Sequence, residues 1–119
     1  MEAGERRSGE MTFYVVRHGQ TLFNVMGKVQ GWCDTPLTDE GVRAAQSLGR
    51  GLAEVDFSAA YSSDSGRAVH TLDELLRARG SGVPFGPYDD MRLREWCYGD
   101  LEGEPGAVSY THLTLPTIA

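Results

Sequence analysis

The chain has 119 residues and a formal net charge of −6, with 24% charged and 40% hydrophobic residues. This length allows one small domain at most, and the acidic balance argues against nonspecific attraction to nucleic acid. No apolar run approaches the ~20 residues that a membrane helix needs, and the polar N-terminus lacks the apolar centre of a signal peptide. We therefore predict a cytoplasmic protein without a nucleic-acid or membrane partner.

The first half of the chain predicts a strand, a loop, a helix and a second strand. The apolar run TFYVV at 12–16 lacks strict alternation, which is typical of a strand buried on both faces. Glycines and a proline predict a loop over 20–37. Thr38 is the expected N-cap of an amphipathic helix over 39–54, whose first turn carries acidic residues. The second strand is predicted at 58–63.

The second half predicts one more helix and one more strand. Asp64 or Ser65 is expected to cap a helix over 66–79 that ends at Gly80. The apolar face predicted for this helix consists of Ala68, Leu72, Leu75 and Leu76. A brief third strand is expected at 83–85. The order strand, helix, strand, helix predicts an α/β fold with a mainly parallel sheet.

A candidate phosphate site follows the first predicted strand. Ligands of open α/β sheets bind beyond the carboxyl ends of the strands, where Arg17, His18 and Gly19 lie. A histidine there can act as a nucleophile or a general base, and an arginine fork suits phosphate oxygens. Arg67 falls in the first turn of the second helix, and Asn24 can add an amide donor. One such arginine is usually a solvated charge and one such histidine is usually structural, but their combination predicts a phosphate pocket.

Four motifs connect these residues to a known family. The chain carries, in order, RHGQTLFN, QGWCDTPLTDEG, YSSDSGRAVHT and REWCYGDLEG. Together they resemble the histidine phosphatase superfamily, also called phosphoglycerate-mutase-like, over residues 11–104. Four ordered motifs are a specific signal, whereas RHG alone would be weak. The resemblance implies a three-layer α/β/α fold with a mainly parallel sheet, and a reaction through a phosphohistidine.

The resemblance also implies roles for individual residues. The catalytic pair would be His18, the nucleophile, and Glu95, which donates a proton to the leaving group. The residues that would bind the phosphate or line its pocket are Arg17, Asn24, Gln30, Gly31 and Arg67. Phosphoryl transfer needs positioning and charge stabilisation, which arginine supplies without titrating. No cluster of Asp and His suited to a metal is evident, so we predict no metal. We also predict no other cofactor, and the resemblance implies a small phosphorylated substrate.

Several residues close to these motifs have structural interpretations. His70 lies on the second predicted helix, at a place where the family often has glutamine and mutases can have histidine. Trp32 and Trp96 flank the expected pocket as packing or substrate-wall residues. Cys33 and Cys97 lack metal-type or redox-type spacing and are predicted to be reduced thiols.

The family uses a second histidine in a glycine-flanked motif far downstream, and this chain ends before that motif. His112 is the only candidate by order, but its surroundings, YTHLTLP, do not match. The stretch VSYTHLTLPT at 108–117 is what one reading frame of a transposon-end sequencing adapter encodes. We therefore interpret residues 108–119 as a non-native tail.

This interpretation divides the chain into three parts. We predict a disordered leader at 1–10, the N-terminal part of one histidine phosphatase domain at 11–107, and the tail at 108–119; Met1 and Met11 both stay open as the start. A truncated domain predicts marginal folding and negligible turnover.

The function predicted for the full-length protein is hydrolysis of a small phosphomonoester. The alternatives are a cofactor-dependent phosphoglycerate mutase, a non-catalytic relative that binds a phosphorylated ligand, and an assembly artefact without a function. Substrate identity and oligomeric state stay open at this point. The motifs SSDSGRA and YGDLEG look more like the phosphatase branch, whereas His70 favours a mutase, so the choice between hydrolysis and isomerisation stays open as well.

Overall fold

The computed structural model describes residues 9–106. Its helices and strands are, in chain order, α1 (Leu22–Met26), α2 (Asp39–Gly51), β1 (Ala59–Ser62), α3 (Gly66–Arg79) and β2 (Phe85–Asp89), followed by 3-10 turns at Met91–Leu93 and Gly99–Leu101. The predicted leader lies outside the described residues except for Gly9 and Glu10. The predicted tail at 108–119 lies wholly outside them.

The sheet consists of β1 and β2, which run parallel, and α3 connects them. Ala59 pairs with Phe85, and Ser62 pairs with Asp89. Parallel neighbours need such a crossover, because the chain must return to the end of the sheet at which the first strand began. The predicted α/β fold with parallel strands is therefore confirmed.

The strand predicted at 12–16 is wrong. This segment forms no regular strand, and its side chains face solvent: Phe13 is 78% exposed and Val15 is 67% exposed. A strand requires hydrogen bonds to a neighbour, and within residues 9–106 the two strands of the sheet pair with each other. The ring of Tyr14 meets that of Phe57 edge to face, 5.1 Å between centroids. High β-propensity did not by itself produce a strand without a partner.

The third strand lies further along the chain than predicted. It runs over Phe85–Asp89 instead of 83–85, and it includes Gly86 and Pro87. Both residue types are disfavoured inside strands, so sequence patterns do not predict a strand through this position. They are tolerated because β2 has a neighbour on one side only within the described part of the chain, and the register against β1 is irregular between Ala59 and Tyr61.

Side-chain caps explain where α1 and α2 begin. The loop predicted over 20–37 contains α1, which opens with a capping box: the Asn24 N–H donates to Thr21 Oγ1, and the Thr21 N–H donates to Asn24 Oδ1. Thr38 is the N-cap of α2, as predicted, and its Oγ1 accepts from the Gly41 N–H at 3.1 Å.

Helix α3 has its predicted range but not its predicted buried face. Gly80 ends the helix in the left-handed region at φ 84°. Ser65 occupies the N-cap position, while the carboxylate of Asp64 pairs with Arg94. Of the predicted apolar face only Leu75 is buried, and the buried positions of the helix are Arg67, Thr71, Leu75 and Arg79. These four positions are spaced four residues apart and so lie on one face of the helix, but two of the four are arginines.

The core of the described residues lies between α2 and α3. Ala45 is 3% exposed and Leu75 is 4% exposed. Gly49 allows the helices to approach closely, since a Cβ there would lie 2.2 Å from the Leu75 carbonyl oxygen. Among residues 9–106, no helix has the length and apolar character required to cross a membrane.

Candidate active site

His18 is half-buried and has one ring nitrogen committed to the backbone. Its Nδ1 lies 2.7 Å from the Gly19 carbonyl oxygen. A carbonyl only accepts hydrogen bonds, so Nδ1 carries the proton and Nε2 retains its lone pair. Burial lowers the pKa of His18 below 6.5; the charges of Arg67 and Arg17 act in the same direction and outweigh, with burial, the opposing bond to Gly19. The imidazole is therefore neutral near pH 7 and has a free nitrogen.

Gly19 connects the histidine to both long helices. Its N–H donates to Thr71 Oγ1 at 3.0 Å, and that hydroxyl donates to the Arg67 carbonyl oxygen at 2.7 Å. A Cβ at position 19 would lie 2.6 Å from the Gly41 carbonyl oxygen in the first turn of α2. This close approach to backbone atoms requires glycine. The same contact holds the backbone next to His18 against the start of α2.

Arg67 is buried under the loop that precedes α2. Its NH1 donates to the Cys33 carbonyl oxygen at 2.7 Å and to Asp34 Oδ1 at 3.1 Å, and its NH2 donates to the Gly31 carbonyl oxygen at 2.7 Å. The side chain is 3% exposed. The structure thus places Arg67 and Gly31, both predicted to bind phosphate, in direct contact.

Asn24 and Gln30 meet at Thr21, which is fully buried. Gln30 Nε2 donates to Thr21 Oγ1 at 3.0 Å, and the Thr35 hydroxyl donates to Gln30 Oε1 at 2.5 Å. Asn24 Oδ1 accepts from the Thr21 N–H at 2.9 Å, which leaves the donor end of the amide, Nδ2, outside the capping box. Both predicted phosphate-site residues therefore also hold the loop in place, a role that their sequence did not reveal.

Glu95 lines a cavity of about 130 Å³. The residues around this cavity are Gly31, Trp32, Asp34, Asp64, Ser65, Arg94 and Glu95. Glu95 Oε1 accepts from the Trp96 N–H at 2.8 Å. The cavity places the predicted proton donor next to Gly31 and Asp34 of the loop that holds Arg67, and His18 is not among the residues that line it.

Arg94 ties the Glu95 segment to the end of β1. Its Nε and NH2 each donate to the Asp64 carboxylate at 2.7 Å, and its guanidinium lies 4.9 Å from the centre of the Trp32 ring. Hydrogen bonds from Arg94 hold the pKa of Asp64 below its usual value. Asp64, one of the two residues expected to cap α3, therefore forms an ion pair with Arg94 beside Glu95.

Glu102 is a residue of the site that sequence reasoning left without a role. Its carboxylate accepts from the N–H groups of Gly31 at 3.0 Å and Trp32 at 2.7 Å. Burial acts to raise the pKa of Glu102, but hydrogen bonds from Cys33 and from these main-chain groups outweigh it and lower the pKa. Glu102 lies inside the fourth motif, yet nothing local distinguishes a loop-binding acid from a solvated one.

The other residues singled out in the sequence differ in their surroundings. Arg17 is exposed. His70 is on the exposed side of α3, with Nε2 3.5 Å from the Glu74 carboxylate, which fits its structural interpretation. Cys33 and Cys97 are free thiols, as predicted. Within residues 9–106 there is no group of three or more His, Cys, Asp or Glu side chains that could hold a metal ion.

Comparison with known proteins finds similarity over most of the chain. Residues 13–112 match the histidine phosphatase superfamily (branch 1). The chain is 41% identical over 97 residues to 2,3-bisphosphoglycerate-dependent phosphoglycerate mutase from Nitrobacter hamburgensis, which covers 79% of this chain and 46% of the mutase. It is 39% identical over 92 residues to fructose-2,6-bisphosphatase TIGAR from Xenopus laevis, covering 76% of this chain and 34% of that protein.

A solved structure shows the same fold. The crystal structure of phosphoglycerate mutase from Bacillus anthracis matches with a TM-score of 0.73 and 39% identity, over 79% of this chain and 41% of the mutase. The chain thus spans less than half the length of each of these relatives. The fold is phosphoglycerate-mutase-like, and the family model covers most of the sequence. The chain belongs to the histidine phosphatase superfamily, branch 1.

Proposed function

We propose that the protein hydrolyses a small phosphomonoester through a phosphohistidine intermediate on His18. The observation that carries the proposal is the state of that imidazole. Nδ1 is committed to the Gly19 carbonyl oxygen, and the lowered pKa leaves Nε2 unprotonated near neutral pH. A neutral nitrogen with a free lone pair beside buried cationic charge is what attack on a phosphoryl group requires.

In the proposed reaction, His18 Nε2 attacks phosphorus in line with the departing oxygen. The P–O bond to the alcohol breaks, and the leaving oxygen takes a proton from the carboxylic acid of Glu95. Water then attacks the phosphohistidine and gives a proton to the Glu95 carboxylate, which restores the acid; the P–N bond breaks, and inorganic phosphate and free His18 are formed. Arg17 and Arg67 balance the charge that spreads over the phosphoryl oxygens. The amide Nδ2 of Asn24 supplies a neutral donor.

This activity is proposed for a protein of the relatives' length. Because the chain spans 34–46% of the relatives compared above, we propose that it is the N-terminal part of a longer domain. We propose negligible turnover for the 119-residue chain itself. A cytoplasmic location, a small phosphorylated substrate, and the lack of a cofactor, of a nucleic-acid partner and of a membrane partner stay predictions from the sequence.

A phosphoglycerate mutase is the second candidate. The relatives from Nitrobacter hamburgensis and Bacillus anthracis carry that name, whereas the Xenopus laevis relative is named as a bisphosphatase. Both reactions would use the same phosphohistidine and differ in whether water or a second substrate oxygen accepts the phosphoryl group. Incubation with 3-phosphoglycerate separates them, because hydrolysis releases inorganic phosphate and isomerisation conserves ester phosphate.

The activity test compares the 119-residue chain with the protein that the gene encodes when read on beyond codon 107. An aryl phosphate and 3-phosphoglycerate serve as substrates, and His18→Ala and the exposed His70→Ala are the matched variants. We expect phosphate release by the longer protein, lost in His18→Ala and kept in His70→Ala. Isomerisation without phosphate release would favour the mutase, and binding without turnover would favour a non-catalytic relative. Robust turnover by the 119-residue chain would contradict the proposed inactivity.

A further inference from the structure

Arg67 keeps one buried donor without a protein partner. Within residues 9–106, its Nε makes no hydrogen bond, although the side chain is 3% exposed. An unpaired donor on a buried charged group is unfavourable, and such groups in folded proteins call for a specific explanation. The acceptors of the other two nitrogens belong to one loop: Gly31, Cys33 and Asp34. The loop therefore holds the guanidinium through NH1 and NH2, and Nε–H is the donor that has no partner among the described residues.

Asp34 is the charged member of that set of acceptors, and it binds Arg67 twice. Its Oδ1 accepts from NH1 at 3.1 Å and from the main-chain N–H of the same arginine at 3.2 Å. A single oxygen that bonds to both the backbone and the tip of a long side chain restricts how that side chain can rotate. Asp34 thus determines the direction in which the guanidinium points.

Gly66 makes space for this carboxylate at the start of α3. A Cβ at position 66 would lie 2.5 Å from Asp34 Oδ2, closer than two such atoms can approach. The backbone of Gly66 is helical, so alanine would suit its conformation. A methyl group at position 66 would therefore have to displace the Asp34 carboxylate and would not disturb the helix backbone.

Asp34 and Arg67 also act on the same imidazole. Burial lowers the pKa of His18 most; the charge of Arg67 lowers it further, and the charge of Asp34 raises it. The charges of the pair therefore reach the imidazole that the proposed reaction phosphorylates. A carboxylate beside an anion-binding site opposes the anion by charge, so any benefit from Asp34 must come from geometry.

We propose that Asp34 is a positioning residue for phosphate binding: it fixes Arg67 so that Nε–H remains as the donor for a phosphoryl oxygen. The inference rests on the proposed function, since phosphate is taken as the ligand beside Arg67. Asp34 acts through the arginine and does not contact the phosphate. Its oxygen is needed, whereas its charge is not.

The test titrates inorganic phosphate into the 119-residue chain and follows the Arg67 Nε–H and His18 imidazole signals by NMR. Asp34→Ala removes both hydrogen bonds and is expected to raise the phosphate Kd about tenfold. Asp34→Asn keeps the accepting oxygen and removes the like charge, so it is expected to bind phosphate as tightly as the wild type or more tightly. Thermal unfolding of each variant separates loss of fold from loss of positioning.

Gly66→Ala provides an independent variant that leaves Asp34 itself in the chain. The added methyl group displaces the carboxylate, so we expect a Kd close to that of Asp34→Ala although alanine favours the helix. Gly51→Ala is the matched control, because a Cβ at position 51 meets nothing within 4 Å. Wild-type phosphate affinity in Gly66→Ala would overturn the proposal.

Three other results would also overturn it. Equal weakening in Asp34→Ala and Asp34→Asn would show that the charge is needed, and unchanged or tighter binding in both would show that the oxygen is not. A wild-type Arg67 Nε–H signal that does not respond to phosphate would remove the assignment of that donor. The proposed function fails separately, when phosphate moves the Nε–H signal but the longer protein hydrolyses nothing.

Discussion

Arg67 and Arg79 lie at opposite ends of the same buried face of α3 and are used differently. All three nitrogens of Arg79 donate to main-chain carbonyl oxygens, which belong to Leu52, Val55, Ser81 and Gly82. Its guanidinium also lies 5.0 Å from the centre of the Phe57 ring. Arg67 binds a loop in a similar way but keeps Nε unpaired within the described residues. Burial of an arginine thus does not by itself indicate a site, and the difference between the two residues is the unpaired donor on which the proposed phosphate contact rests.

The largest expected effect is a loss of stability when Arg79 is replaced, because all three of its guanidinium nitrogens donate to carbonyl oxygens. Arg79→Ala removes a buried side chain and leaves the carbonyl oxygens of the half-buried Leu52 and Val55 without this donor, so it should lower the free energy of unfolding by about 3 kcal/mol. Arg77→Ala is the control, because Arg77 is 75% exposed in the same last turn. Chemical denaturation measures both variants. Equal stability of the two would contradict the assigned role of Arg79.

A smaller loss is expected at the loop that holds Arg67. A Cβ at position 31 would lie 2.1 Å from the Trp96 carbonyl oxygen, so Gly31→Ala must displace backbone. Strain of this kind typically lowers the free energy of unfolding by about 2 kcal/mol. Gly51→Ala, which adds the same methyl group in open space, should leave the unfolding curve almost unchanged. A tolerated Gly31→Ala would mean that the loop packs less tightly than the structure shows.

The charge of Arg67, unlike that of the exposed Arg77, is expected to influence the pKa of His18. Arg67→Gln removes a cation that lowers the pKa of His18, so that pKa should rise. Arg77→Gln removes the same charge from the far, exposed end of α3 and should leave it unchanged. NMR titration of the imidazole measures the shift. A fall in the pKa after Arg67→Gln would contradict the electrostatic effect assigned to Arg67.

The same pKa predicts how stability depends on pH. The folded chain holds the pKa of His18 below the unfolded value of 6.5, so the unfolded chain binds more protons between these two values. Stability from this group is complete above pH 6.5 and falls as the pH drops toward the folded pKa. His18→Gln should flatten that part of the pH profile measured by denaturation. An unchanged slope would assign it to other groups.

The smallest expected effect concerns the ion pair beside Glu95. Arg94→Gln removes the guanidinium that covers the Trp32 ring and should shift the fluorescence of Trp32 to longer wavelength, since the indole gains water contact. A Trp96→Phe background isolates the signal. Global stability should change little, because the pair is near the surface. Unchanged emission would show that the contact is not maintained in solution.

Helices α2 and α3 could be predicted from the sequence, because their signals are local. Thr38 and Gly80 mark helix ends through their own conformations, and the period of the apolar residues predicts helices, although it did not identify the buried face of α3. The strand at 12–16 could not be decided in this way, because strand formation depends on a partner elsewhere in the chain. The position of β2 was misjudged for a related reason: Gly86 and Pro87 are acceptable only where one edge is unpaired.

The site was predictable in its composition but not in its contacts. The four motifs indicated His18, Arg67 and Glu95 by resemblance, and the structure gives the first two a shared electrostatic environment. No motif showed that Arg67 is fixed by carbonyl oxygens or that Glu102 binds the loop. Such contacts join residues far apart in sequence, where periodicity and spacing carry no signal.

The contact between Gly19 and the first turn of α2 has a consequence for altering substrate preference. A Cβ at position 19 would meet the Gly41 carbonyl oxygen at 2.6 Å, and one at 41 would meet the Gln20 carbonyl oxygen at 2.2 Å. Neither glycine needs to contact a substrate, yet each excludes every side chain. A mutant library built around His18 should therefore hold both positions constant, since variation there would select for folding before it reported on chemistry.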